Sequence, residues 1–163
     1  MNRIVIYQSS TGFTKQYAEW IAEDLGCKAV SIKEIKQDAV KNYDQVIYGG
    51  WVMGGMVSGL DKVRQYNPKQ LVVFAVGAAP QEAVHVEDVK TANKTGEIPV
   101  YYLAGGLRFD KLNFAMKGIL KMVKKSVMKK ENKTEMDEFM AKYLDQNFDH
   151  SDRKQIQRLV ESL

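Results

Sequence analysis

The first 25 residues constrain the fold most strongly. An apolar run, Ile4–Tyr7, leads into a hydroxyl-rich loop, residues 9–14, and then into an amphipathic segment, residues 17–25. A strand, a loop and a helix start in this order are typical of a phosphate site, because the first amides of a helix are unpaired and its dipole favours an anion. Gly12 allows close approach of the backbone. The sequence predicts a phosphate cradle here, against the alternative of an ordinary strand–helix turn.

Two common phosphate loops are excluded, because the cradle has neither a Gly-Lys-[Ser/Thr] ending nor a G-x-G-x-x-G pattern. The stretch from Val5 to Thr14, with Ala18 and Ile21 after it, resembles the flavodoxin signature at every defined position. The resemblance implies that the loop holds the phosphate of the cofactor FMN. The implied binding residues of this loop are Ser9, Ser10, Thr11, Gly12, Phe13 and Thr14.

Apolar runs alternate with helical patterns along the chain, which predicts a doubly wound α/β fold with a parallel sheet and helices on both faces. The resemblance to flavodoxins implies the strand order 2-1-3-4-5, with the ligand at the carboxyl ends of the strands. The predicted strands are residues 3–8, 28–32, 45–50, 71–77 and 99–105. The segment 33–43 is interpreted as a polar connection and 51–57 as a loop.

The region after the fifth strand contains three helical patterns, at residues 112–128, 134–145 and 152–162, where the predicted fold needs only one. We therefore predict one flavodoxin-like domain over residues 1–163, with a helical insertion at about 107–150 before the last helix. No linker or internal repeat indicates a second domain.

Two further loops end at the same sheet edge as the cradle. The resemblance implies that Trp51, Val52, Met53 and Gly54 hold the flavin ring, with Trp51 either stacking on it or packing in the core. The third loop, Gly77, Ala78, Ala79 and Pro80, lacks the Tyr that flavodoxins commonly place there. One flavin face would then stay open to a substrate, and this favours two-electron exchange with a bound molecule.

Positive charge is concentrated in one segment. The chain has a net charge of +4 and a pI of about 9.0, and residues 107–133 contain nine basic side chains against two acidic ones. An anionic partner surface is therefore predicted. Segment 108–130 either contacts a membrane or packs on its own domain with a solvated lysine face. Nucleic acid is not expected, and the expected location is cytoplasmic, with membrane contact at the inner face.

The stretch from Ala104 to Phe109, followed by a Met- and Lys-bearing helix, resembles the menaquinone-dependent protoporphyrinogen oxidases. That resemblance implies electron transfer from protoporphyrinogen through FMN to a quinone, with Arg108 and Lys111 near the propionates. Two alternatives stay open: a one-electron carrier for redox proteins, and a non-catalytic FMN-binding module. Neither a catalytic residue nor a metal site is predicted. His85 is interpreted as a solvated residue at a helix start.

Overall fold

The computed structural model describes all residues from 1 to 163. Five of its strands form a parallel sheet, and three short strands are antiparallel. The strands are β1 (Arg3–Gln8), β2 (Lys28–Ser31), β3 (Gln45–Met53), β4 (Met56–Val57), β5 (Leu71–Gly77), β6 (Val100–Ala104), β7 (Gly106–Leu107) and β8 (Phe148–Asp149).

Seven α-helices accompany these strands. The longest two are α1, which follows the cradle, and α5, which follows the sheet's last strand. The helices are α1 (Phe13–Leu25), α2 (Gln37–Val40), α3 (Leu60–Gln65), α4 (Val86–Ala92), α5 (Phe114–Met128), α6 (Glu135–Tyr143) and α7 (Gln157–Glu161).

The parallel strands lie in the order β2-β1-β3-β5-β6, which confirms the predicted doubly wound arrangement. Residues of β1 pair with β2 on one side and β3 on the other, with Ile6 beside both Val30 and Tyr48. All five strands end at one edge, so the loops after β1, β3 and β5 meet there. This edge positions the candidate site.

The sheet is buried on both faces, because alternate residues of each strand feed two separate cores. One core contains Ile6, Tyr48 and Val73 together with α3 and α4. The other contains Ile47 and Phe74 together with α1 and the carboxyl-terminal helix α7. Strands covered on both faces read as continuous apolar runs, which is why the sequence located them.

Two local predictions are wrong. Segment 51–57 is a hairpin rather than a loop, because β3 continues to Met53 and pairs with β4. The connection 33–43 contains the short helix α2.

The region between β6 and α7 forms a small layer of its own. Strands β7 and β8 pair, and α6 packs on β8 through Phe139 and Phe148, whose rings meet edge to face at 5.4 Å. Helix α5 lies against α6, and Lys124 of α5 binds Asp145 just beyond α6 at 2.7 Å. None of the helices combines the length and the apolar composition that a membrane span requires.

Candidate functional site

The cradle has the backbone geometry of an anion site. Gly12 precedes α1 with φ of 106° and no neighbouring atom within 4 Å of the place where a Cβ would stand. The first intrahelical bond runs from the Gln16 amide to the Gly12 carbonyl, so the amides of residues 13–15 have no acceptor within the chain. A 13-residue helix with free first-turn amides presents a positive dipole end to the loop.

The second loop is a tight hairpin whose turn residues, Gly54 and Gly55, both have positive φ. Asn93, which is buried just beyond the end of α4, holds this hairpin through two side-chain hydrogen bonds. Its side chain accepts from the Val57 amide and donates to the Gly55 carbonyl, both at 2.8 Å. These bonds attach the hairpin to the end of α4. The backbone of Trp51 and Val52 is therefore held in place at the sheet edge.

The third loop is held by Tyr102 of the neighbouring strand β6. Its buried hydroxyl donates to the Ala79 carbonyl at 2.8 Å, and Gln81 donates back to the Tyr102 carbonyl at 3.0 Å. Burial raises the pKa of Tyr102 far above its usual range, so the phenol stays neutral and keeps this donor role at every ordinary pH. The loop backbone is thus fixed while its side chains stay small.

One cavity of about 700 Å³ lies between the three loops and continues along helices α5 and α6. Most of its 29 lining residues are apolar. The predicted residues that line it are Ser10, Thr11, Phe13, Thr14, Trp51, Val52, Met53, Gly54, Gly77, Ala78 and Ala79. The sequence reasoning therefore identified most of one half of this cavity, namely the sheet-edge half.

Three predicted residues do not line the cavity. The Ser9 hydroxyl turns back and accepts the Gly12 amide at 3.1 Å, so it stabilises the loop and occupies that amide. Gly12 has no side chain and contributes only its conformation. Pro80 directly precedes the 3₁₀ turn at Gln81–Ala83 and is not part of the cavity lining.

The other half of the cavity, which comes mainly from residues 83–92 and from the region after β6, was not predicted from the sequence. The helical pattern at residues 112–128 predicted α5, but nothing in the sequence indicates that this helix faces the site. The additional lining residues are Gly55, Val76, Ala83, Val84, His85, Asp88, Val89, Ala92, Tyr102, Gly106, Leu107, Leu112, Met116, Leu120, Met136, Phe139, Met140 and Leu144.

The cavity wall contains almost no charge. His85 and Asp88 are its only lining residues with an imidazole or a carboxylate, and no Lys or Arg lines it. Arg108 instead lies over the Phe13 ring at 4.9 Å and 3.9 Å from an Asp149 oxygen, outside the lining. Lys111 is exposed and also does not line the cavity. No group of three or more metal-ligating side chains occurs in the chain.

The sequence of the chain matches a known protein family. The family model described as "Flavodoxin domain" matches residues 4–137, which is most of the chain. The protein therefore belongs to the flavodoxin domain family, and this membership implies flavin binding, with FMN as the flavin. The search of curated proteins gave no match.

Solved structures with a similar fold include several flavoproteins. An archaeal flavodoxin has 22% identity and a TM-score of 0.46, over 63% of this chain and 78% of its own. Flavodoxin 2 from Bacillus cereus has 17% identity and a TM-score of 0.46, over 64% and 86%. A WrbA-like flavodoxin from Agrobacterium tumefaciens has 23% identity and a TM-score of 0.42, over 50% and 62%.

The residues present fit FMN. Free first-turn amides and the hydroxyls of Ser10 and Thr11 suit a phosphate, since the loop adds donors without a cation. At the sheet edge, the third loop contributes only the small residues Gly77, Ala78 and Ala79 to the lining, and Trp51 adds an aromatic side chain. A largely apolar lining of this kind suits a flat, uncharged ring system.

Proposed function

We propose that the chain is an FMN-dependent oxidoreductase that exchanges electrons with a small apolar molecule, for which a quinone is the best match. One observation carries the proposal: the cavity that contains the cradle continues into an apolar chamber walled by α5 and α6. A carrier that reacts through an exposed ring edge needs no such chamber. The chamber would give a substrate ring room next to the bound flavin.

The residues have separable roles in this proposal. The amides of residues 13–15 and the hydroxyls of Ser10 and Thr11 would bind the phosphate, while Trp51 and the third loop would orient the ring. Bound FMN supplies a group that accepts and donates two electrons. The apolar wall would exclude water and hold an apolar substrate in the same cavity as the ring.

The chamber wall favours a neutral substrate over a charged one. Met116, Met136 and Met140 lie there, and thioether side chains adapt their shape to flat rings. Protoporphyrinogen is the electron donor that the sequence resemblance suggests, but its propionates need cations. Because Arg108 and Lys111 do not line the cavity, they would have to bind those groups outside it.

The first experiment measures FMN binding and then turnover. Purified protein mixed with FMN should give a bound-flavin visible spectrum. Replacing both Ser10→Ala and Thr11→Val should weaken FMN binding at least tenfold. Each substitution removes a hydroxyl that would donate a hydrogen bond to the charged phosphate. Thr91→Val, which removes an exposed hydroxyl on α4, is the matched control. Unchanged affinity in the double variant would contradict the cradle assignment.

The second experiment tests the chamber. Leu120→Trp should fill it and raise the KM for a soluble menaquinone analogue about tenfold, with FMN affinity unchanged, because Leu120 lies on the wall away from the cradle. Met122→Trp on the exposed side of the same helix is the control. Turnover with the quinone but not with protoporphyrinogen would assign the substrate class.

Family membership favours a second candidate, a flavodoxin-type electron carrier. A carrier would be reduced by a partner flavoprotein reductase, would pass electrons to another protein, and would show no turnover with any quinone. In that case Leu120→Trp would leave the rate of electron transfer unchanged. FMN that binds without exchanging electrons would instead support the non-catalytic module.

A further inference from the structure

Helix α5 is poorly covered by the rest of the chain. Of its 15 residues, Val127 alone is buried. The chain has eight exposed large hydrophobic side chains, and five of them lie on this one helix. Phe114 is 92% exposed and Met122 is 71% exposed. Since helices in proteins depend on packing of an apolar face, exposure on this scale indicates a partner surface.

The apolar residues of α5 form two neighbouring sectors rather than one face. Met116 and Leu120 line the cavity. Ala115, Ile119 and Met122 follow one another at spacings of four and three residues, are exposed, and do not line the cavity. We call these three residues the outer sector. The fold therefore covers only the sector of α5 that lines the cavity.

Free lysines border the outer sector. Lys124 and Lys130 are bound by Asp145 and Asp137, but Lys125 and Lys129 have no acidic partner. At 100° per residue, Lys125 and Lys129 lie on the side of the outer sector away from the cavity. The helix itself contains no acidic residue. A partner of the outer sector therefore meets apolar side chains and positive charge together.

We propose that the outer sector of α5 docks on the surface of an anionic lipid bilayer, with the helix lying in the plane of the interface. Ile119 and Met122 enter the boundary between headgroups and acyl chains, and Lys125 and Lys129 bind the headgroup phosphates. A second copy of the chain fits less well, since a two-fold contact would bring the same free lysines together.

Vesicle co-sedimentation with the full chain tests this proposal. The protein should bind vesicles of phosphatidylglycerol and phosphatidylcholine in equal parts, bind phosphatidylcholine alone much less, and dissociate in high salt. Replacing both Ile119→Gln and Met122→Gln should weaken binding at least tenfold. Replacing both Lys125→Gln and Lys129→Gln should weaken it about 25-fold, at roughly fivefold per lysine.

Lys33→Gln with Lys36→Gln is the matched charge control, because these exposed lysines follow β2 at the far edge of the sheet from β6. FMN affinity should be unchanged in every variant, since none of the substituted residues lines the cavity. This readout separates failure of docking from failure of the proposed function. The proposal is overturned if anionic vesicles are not bound, if the outer-sector variant binds equally well, or if the outer sector instead mediates self-association in sedimentation velocity.

Discussion

At the scale of single residues, His85 is the most informative position of the cavity. It precedes α4 and is the only imidazole in the lining, with Asp88 of the same helix and the neutral phenol of Tyr102 as the other titratable groups. When a substrate C–H gives up a hydride, the adjacent O–H or N–H loses its proton to a nearby base as the new double bond forms. The imidazole of His85 has a ring nitrogen that can accept this proton.

We predict that His85→Gln lowers kcat for substrate oxidation about 100-fold, because the variant has no side chain that can accept the substrate proton. FMN affinity should stay within about twofold, so kcat at saturating FMN and substrate is the measurement. Equal kcat values for both proteins would mean that His85 is only a solvated helix-start residue.

At the scale of elements, the start of α6 depends on a small charged network. The Asp137 amide donates to the Thr134 hydroxyl at 3.1 Å, and the Thr134 amide donates to the Asp137 carboxylate at 3.0 Å. Lys130 donates to the same carboxylate at 2.9 Å. The Lys130 bond, followed by the Thr134 amide, lowers the pKa of Asp137 below its usual value. Helix α6 is one wall of the chamber, so this cap supports the site.

We predict that Asp137→Asn lowers the free energy of unfolding at pH 7 and lowers it by less at pH 3. The folded-state pKa lies below the unfolded one, so the stabilisation is complete above about pH 4 to 5 and is lost as pH falls through the folded pKa. Urea unfolding at both pH values is the measurement. Glu138→Gln, an exposed neighbour on the same helix, should change neither value.

At the scale of the whole molecule, the charge distribution should set the reduction potential of bound FMN. The net charge is +4, and Asp88 is the only carboxylate in the cavity lining. Acidic surroundings penalise fully reduced FMN, which is anionic, and this chain provides few of them. We predict a potential less negative than that of the acidic electron-carrier flavodoxins.

A redox titration checks this value, and Asp88→Asn should raise the potential further because it removes the only carboxylate in the cavity lining. Glu87→Gln is the matched control, since Glu87 is exposed, does not line the cavity and binds Lys90 at 3.3 Å. A potential as low as that of electron carriers would refute the charge argument and would favour the carrier function.

Predictability differed between the two halves of the candidate site. The sheet-edge loops could be located from sequence, because a strand such as β1 or β5 must end where its apolar run ends. The hairpin at Val52–Val57 was missed because glycine and methionine give no strand signal, and its order comes from the distant side chain of Asn93. Arg108 was expected near the propionates of a substrate, but it contacts Phe13 and Asp149 instead. These contacts could not be predicted because both partners are distant from Arg108 in sequence.

The sequence by itself determined the order of strands and helices, the cradle at residues 9–14 and the uneven charge, because each depends on local pattern or on composition. Only the tertiary structure decided that α5 and α6 close over the sheet edge and that no Lys or Arg side chain lines the chamber. It also decided that Met116 faces the cavity while Ile119 faces solvent. Periodicity identifies which residues are apolar, whereas the surface that each one meets depends on contacts between distant segments.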